Sequence, residues 1–258
     1  SELDGRGNAY ERLVTGTSSC IMYAYPGQTW SSTPQADCVS SQTNVFDMHA
    51  PERRPVDAFD GARQHTQQPI VTGTSVLGLT YKDGVMLATD TLASYGSLAR
   101  FMNIQRLAQF GERVVIGASG DMSDWQNIQH SLTKLMEKEE MESDGHTLTP
   151  AQMYAYLSRT MYERRSKLDP YWNALVLGGF DTKTNAPFLG YVDLLGTTYQ
   201  SSTIATGFGL HLAQPMLRKA VEGRETHLTE NDARAILEEC MRVLCTCLLY
   251  TSPSPRDK

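Results

Sequence analysis

The segment from Thr74 to Asp90 constrains the fold more than any other. Thr74–Tyr81 predicts a strand, Lys82-Asp83-Gly84 a tight turn, and Val85–Asp90 the returning strand. Both faces of this hairpin are largely apolar, unlike the apolar–polar alternation of a hairpin with one wet side. Such a hairpin must be covered above and below, so it belongs inside a layered structure.

The elements around it supply the layers. Arg100–Phe110 and Arg113–Ala118 predict two more strands, the second ending at Ser119-Gly120-Asp121. Trp125, Ile128, Leu132, Leu135 and Met136 then fall at helical spacing. A second helix starts at Thr149-Pro150, a capping residue followed by proline in the first turn, with Met153, Leu157 and Met161 on one face. Strands resume at Asn173–Phe180, Phe188–Leu195 and Thr197–Ala205. Helices follow around Leu212–Val221 and from Thr229, where Asp232 stands three residues on and Ile236, Leu237 and Cys240 point inward. Strands, two helices, strands, two helices is an α+β order with helices outside paired sheets. No repeat or linker divides it, so residues 66–244 read as one domain.

The two ends read differently. Residues 1–65 are poor in periodic apolar residues and rich in Ser, Thr, Gln, Pro and Asp, which predicts a disordered or propeptide-like extension with no core of its own. The sequence opens on Ser1, and Met48 is a candidate start. The last fourteen residues, Cys245 to Lys258, break the preceding pattern and read as a non-native tail, similar to translated adapter sequence.

Composition narrows the chemistry. A formal net charge of −6 argues against a nucleic-acid footprint. The five cysteines (Cys20, Cys38, Cys240, Cys245 and Cys247) are odd in number and form no C-x-x-C pair, which argues against a disulfide framework or a zinc site and for a reducing compartment. The six histidines show no H-x-x-x-H spacing, so neither metal nor other cofactor is expected. No apolar run approaches the ~18 residues of a membrane span. A cytosolic or nuclear protein is the expectation.

Several segments together carry a family resemblance. They are Thr66-Gln67-Gln68-Pro69-Ile70-Val71-Thr72-Gly73-Thr74-Ser75-Val76-Leu77-Gly78, Ser94-Tyr95-Gly96-Ser97-Leu98-Ala99-Arg100-Phe101, and Gly117-Ala118-Ser119-Gly120-Asp121. Further on come Tyr162-Glu163-Arg164-Arg165-Ser166-Lys167, Gly190-Tyr191-Val192-Asp193 and Leu212-Ala213-Gln214-Pro215. From about Thr66 to Leu244 the chain resembles a proteasome β subunit. The resemblance implies the four-layer αββα sandwich of N-terminal nucleophile (Ntn) hydrolases, here with its C-terminal strands missing and a sheet edge left open. It also implies a place in the β ring of the 20S core, and a part in ATP- and ubiquitin-dependent degradation. The partners it implies are β subunits of the same and the opposite ring and subunits of the α ring, in cytoplasm and nucleus, with no nucleic acid, membrane or cofactor.

The same resemblance sets expectations for single residues. Active relatives free the amine of a threonine by cutting a Gly-Thr bond, and that amine can take the hydroxyl's proton. Thr74 stands at the threonine position, Asp90 sixteen residues on at the acidic position, and Arg106 thirty-two residues on where active relatives carry lysine. A guanidinium stays protonated far above neutrality and needs more room than an ammonium, so an Asp90–Arg106 structural pair is the expectation. Gly120 matches a glycine whose N–H helps hold an oxyanion, although a glycine after a strand is common for turn reasons alone. Phe208, between Gly207 and Gly209, replaces a small serine and is expected to fill the space beside the nucleophile. The remaining Asp and Ser of the active pattern belong beyond Leu244. His65-Thr66 resembles a processing junction eight residues before Thr74, where an active neighbour would trim an exposed extension. The site thus reads as degenerate, with no catalytic residue. Two alternatives stand beside it: an active threonine endopeptidase exposing Thr74 after cleavage at Gly73, and an unrelated binding protein on the same sandwich.

Overall fold

The hairpin forms as β5 (Val76–Tyr81) and β6 (Gly84–Asp90), paired antiparallel, and every β6 residue is buried. Successive residues face different layers. Leu77, Leu79, Met86 and Ala88 enter one apolar core, and Val76, Val85 and Leu87 enter another. Full burial of one such Leu or Val contributes about 1.5–3 kcal/mol, so using both faces doubles what each strand contributes.

The computed structural model describes residues 68–251 apart from 112, 143–146, 182–185 and 225–226, with side chains as far as 247. It also describes the backbone alone of residues 2–3, 9–15 and 18–26. These last form β1 (Glu2–Leu3), β2 (Ala9–Thr15) and β3 (Ser18–Pro26). The remaining strands are β4 (Val71–Gly73), β7 (Ala93–Tyr95), β8 (Leu98–Phe101), β9 (Leu107–Phe110), β10 (Val114–Asp121), β11 (Asn173–Asp181), β12 (Ala186–Val192), β13 (Thr198–Gln200) and β14 (Thr203–Ala205). The helices are α1 (Met122–Glu142), α2 (Pro150–Ser166), α3 (Gly209–Val221) and α4 (Glu230–Thr251).

Two sheets result. One runs β1-β2-β3-β6-β5-β14, the other β13-β12-β11-β10-β4-β7-β8 with β9 also on β10. Val76, Val85, Leu87, Leu107, Val115, Val176, Leu189 and Ile204 meet between the sheets. There Gly117 keeps the spacing close, since a Cβ on it would stand 2.7 Å from Val76. α3 and α4 cover the first sheet, with Ala213, Leu217, Val221, Leu237 and Leu244 against β5 and β6. α1 and α2 cover the second, with Trp125, Leu132, Met153 and Leu157 against Ile116, Leu175 and Leu177. Helix, sheet, sheet, helix is the four-layer αββα sandwich.

The helix starts follow the side-chain chemistry of capping. Thr149 and Gln152 cap α2 reciprocally, with Pro150 in the first turn. Thr229 and Asp232 do the same for α4, the Thr229 hydroxyl lying 2.8 Å from the Asp232 carboxylate.

Three expectations give way to the structure. Arg100–Phe110 is not one strand: β8 ends at Phe101 and β9 begins at Leu107, because the chain between them turns inward to bury Arg106. Thr197–Ala205 divides into β13 and β14, which lie in different sheets, so the chain changes sheet at Ser201-Ser202. The edge of β6 is not open: β3 pairs along it from Cys20↔Asp90 to Pro26↔Gly84. A buried strand with a free row of N–H and C=O groups is a template for pairing. α4 runs from Glu230 to Thr251, through Cys245 where the sequence pattern changes; residues 252–258 of the tail lie outside the described residues. The remainder of the N-terminal extension, with the His65-Thr66 junction, lies outside them too.

Candidate functional site

Gly73 ends β4 in one sheet and Val76 begins β5 in the other, so Thr74-Ser75 is the step by which the chain crosses between sheets. The crossing gathers groups from both. Asp90 closes β6, Ala118 lies in β10, and Arg106 sits just before β9.

Arg106 organises them. Its side chain is fully buried, and one of its terminal nitrogens (Nη1) donates to Asp90 Oδ1. Nη2 donates to the carbonyls of Thr74 and Ser75 at 2.8 and 3.1 Å, and Nε to the carbonyl of Ala118 at 3.2 Å. Burial lowers the guanidinium's pKa from its ordinary value and the Asp90 carboxylate opposes that shift. The ordinary value is so far above neutrality that the group stays charged. The Thr74 hydroxyl donates to the same Asp90 oxygen at 2.9 Å. Asp90 therefore receives both a hydroxyl and a cation, and the cation also donates to three backbone carbonyls. Gly73 makes room for it: a Cβ there would stand 2.5 Å from Arg106 Nε. Among the described residues, no group of three or more His, Cys, Asp or Glu could hold a metal. No described helix is long and apolar enough to cross a membrane.

A family model described as "Proteasome subunit" matches residues 70–252, which includes all of these groups. The chain belongs to the proteasome β-subunit family. It is 52% identical over 189 residues to the probable proteasome subunit beta type-7 of Schizosaccharomyces pombe, covering 73% of this chain and 72% of that one. It is 48% identical over 184 residues to proteasome subunit beta type-4 of Xenopus laevis, covering 71% and 75% of the two chains. Against proteasome subunit beta type-4 of Arabidopsis thaliana it is 42% identical over 210 residues, covering 79% and 82%.

Within this β-subunit fold the other predicted residues fall into two groups. Gly120 sits opposite Gly73 on the neighbouring strand, at φ +95°, and a Cβ there would stand 2.0 Å from the carbonyl oxygen of Trp172. Only glycine fits, on grounds of conformation and of space. Phe208 is a correction. Its side chain is 55% exposed and does not fill the space beside Thr74. The backbone takes that space instead. The Gly209 N–H donates to Ser75 Oγ at 2.8 Å, and Thr206 exchanges two 2.9 Å bonds with the backbone of Val76. With both flanking glycines held against Ser75, the residue between them is turned outward.

Sequence reasoning missed four supporting residues. Asp121 caps α1 by accepting from the N–H groups of Ser123 and Asp124, and its other oxygen accepts from the N–H of Ile70. The approach of the chain to Thr74 is thereby tied to a helix start. Asn173 donates to the carbonyls of Ser119 and Asp121 and holds the strand end that carries Gly120. Ser75 and Thr206 clamp β5 to the start of α3. An acidic residue opening a helix was a usable signal for Asp121; contacts such as Val76 with Thr206, spanning 130 residues, leave none.

Proposed function

We propose that this chain is a non-catalytic, structural β-ring subunit of the 20S core proteasome, within an assembly whose active members are threonine peptidases. Its reach would be lateral to neighbouring β subunits, axial to an α ring, and across to the second β ring. Through that assembly it would serve ATP- and ubiquitin-dependent protein degradation in cytoplasm and nucleus.

One observation carries the non-catalytic part. The cation beside Thr74 is a buried guanidinium with its donors committed to Asp90 and three backbone carbonyls. Such a group cannot exchange a proton near neutral pH, so it cannot serve as the base for Thr74. The Thr74 hydroxyl is directed to Asp90 and not toward an amine. The degenerate set is then Thr74, Asp90, Arg106 and Gly120. Phe208 drops out of it on account of its exposure.

The alternative is an active endopeptidase that exposes Thr74 by cutting after Gly73. The mature N-terminus in native particles separates the two, by intact mass and terminal peptide mapping. A start at Thr66, after trimming at His65-Thr66 by a neighbour, supports the structural reading. A start at Thr74 overturns it.

A further inference from the structure

The Ala213-Gln214-Pro215 step of α3 plays no part around Thr74. Gln214 is only 6% exposed, and its Nε2 donates to the carbonyl and hydroxyl of Thr203 at 3.0 and 3.2 Å. Its Oε1 has no hydrogen-bond partner among the described residues. The amide cannot be turned round, because the Thr203 carbonyl only accepts. A buried carbonyl without a donor is a standing cost that calls for an explanation.

Gln214 also lines an open groove of about 500 Å³, together with Leu210, Pro215, Arg218, Lys219 and Glu222. Leu210, Gln214, Arg218 and Glu222 recur every four residues, so the groove runs along the helix for about 18 Å. Leu210 and Pro215 give it an apolar wall, Arg218 and Lys219 two cations, and Glu222 closes one end. Neither cation forms an ion pair among the described residues. That length matches an extended peptide of about five or six residues better than a small anion.

We propose that this groove seats an extended acidic segment of another proteasome subunit. A carboxylate of the segment lies against Arg218 and Lys219, and an apolar side chain packs on Leu210 and Pro215. The proposal uses the chain's membership of the assembly and is independent of whether Thr74 is inert.

The test is a benzophenone photo-crosslinker placed at Leu210 in the full chain within purified particles, with the adduct mapped by mass spectrometry. The expected adduct is to an Asp- or Glu-bearing segment of a different subunit. Its yield should fall about tenfold in an Arg218→Glu/Lys219→Glu variant, the loss of roughly 1.4 kcal/mol of charge pairing. No adduct, an adduct confined to this chain or a second copy of it, or one to a segment without a carboxylate overturns the proposal. Failure of the chain to enter particles would instead sink the structural-subunit reading. In that case a fluorescent Leu-Asp repeat hexapeptide and its Leu-Lys counterpart, titrated onto the isolated full chain, decide the groove's preference. Binding of the acidic peptide alone supports the proposal, and equal binding of the two, or of neither, removes it.

Discussion

Gly73 and Arg106 are a fitted pair: the missing side chain of one is the room occupied by the guanidinium of the other, with a would-be Cβ 2.5 Å from Nε. The Gly-Thr step that in a peptidase would be a cutting point here has a packing reason to be glycine. Both residues lie beneath the sheet crossing at Thr74-Ser75, so their fit is felt by both sheets.

Gly73→Ala should therefore lower stability by about 1–3 kcal/mol through overpacking. It should shift the urea midpoint without changing the slope. In an Arg106→Ala background the added methyl has space, so the same substitution should cost less, with a coupling of about 0.5–3 kcal/mol in the double-mutant cycle. Strictly additive effects would falsify the fitted-pair account.

Replacement of Arg106 itself should separate charge from geometry. Arg106→Met leaves the buried Asp90 without its cation and should cost about 3–5 kcal/mol. Arg106→Lys keeps the charge, yet an ammonium cannot reach Asp90 and the carbonyls of Thr74, Ser75 and Ala118 together. Its cost should be smaller, about 1–3 kcal/mol for carbonyls left without donors. Equal losses for the two variants, measured by denaturation under the same conditions, would show that the Asp90 charge is not what Arg106 compensates.

The layer order was legible because burial on both faces of β5 and β6 leaves a direct mark in the sequence, as does the start of α2 at Thr149-Pro150. The Thr74, Asp90 and Arg106 positions were legible through the family resemblance, which matches them to the threonine, acidic and lysine positions of active relatives. The path between Phe101 and Leu107 was not, since one buried arginine overrides a run with strand propensity. Nor was the direction of Phe208, which depends on Ser75 meeting Gly209 from 134 residues away. The pairing of β3 with β6 was hidden for a similar reason: a strand that completes an edge is recognised by what it pairs with and not by its own periodicity.

Cys240 gives the fold a pH dependence of predictable sign. It is 1% exposed beside Leu237 and Leu244 in the core under α4. Burial pushes its thiol up to about 11, and Glu239 adds in the same direction. The unfolded thiol loses its proton near 8.5, the folded one only near the raised value, so the unfolded state binds fewer protons in between. Stability should be full below the lower value and decline as pH rises across that window. The decline should be shallower in Cys240→Ala, which lacks the thiol but keeps Tyr81 and Tyr191, whose hydroxyls are also pushed up by burial. The stability gap between the two proteins should thus narrow from about pH 8.5 to about pH 11. A gap of constant width would mean that the thiol titrates alike in both states.

Phe208 offers the sharpest separation between a blocked site and an unequipped one. Were its ring the obstacle beside Thr74, Phe208→Ser would open the pocket, and an electrophilic threonine-directed probe would begin to label the protein. Its ring is instead 55% exposed, and the space near Ser75 is held by the glycines on either side. Phe208→Ser should therefore change stability by no more than about 0.5 kcal/mol, as exposed substitutions usually do. It should yield no labelling of Thr74, because Arg106 still occupies the base position and Thr74 remains bonded to Asp90. Labelling in Phe208→Ser alone would reassign the block to the phenylalanine. Labelling that needs Arg106→Lys as well would assign it to the guanidinium.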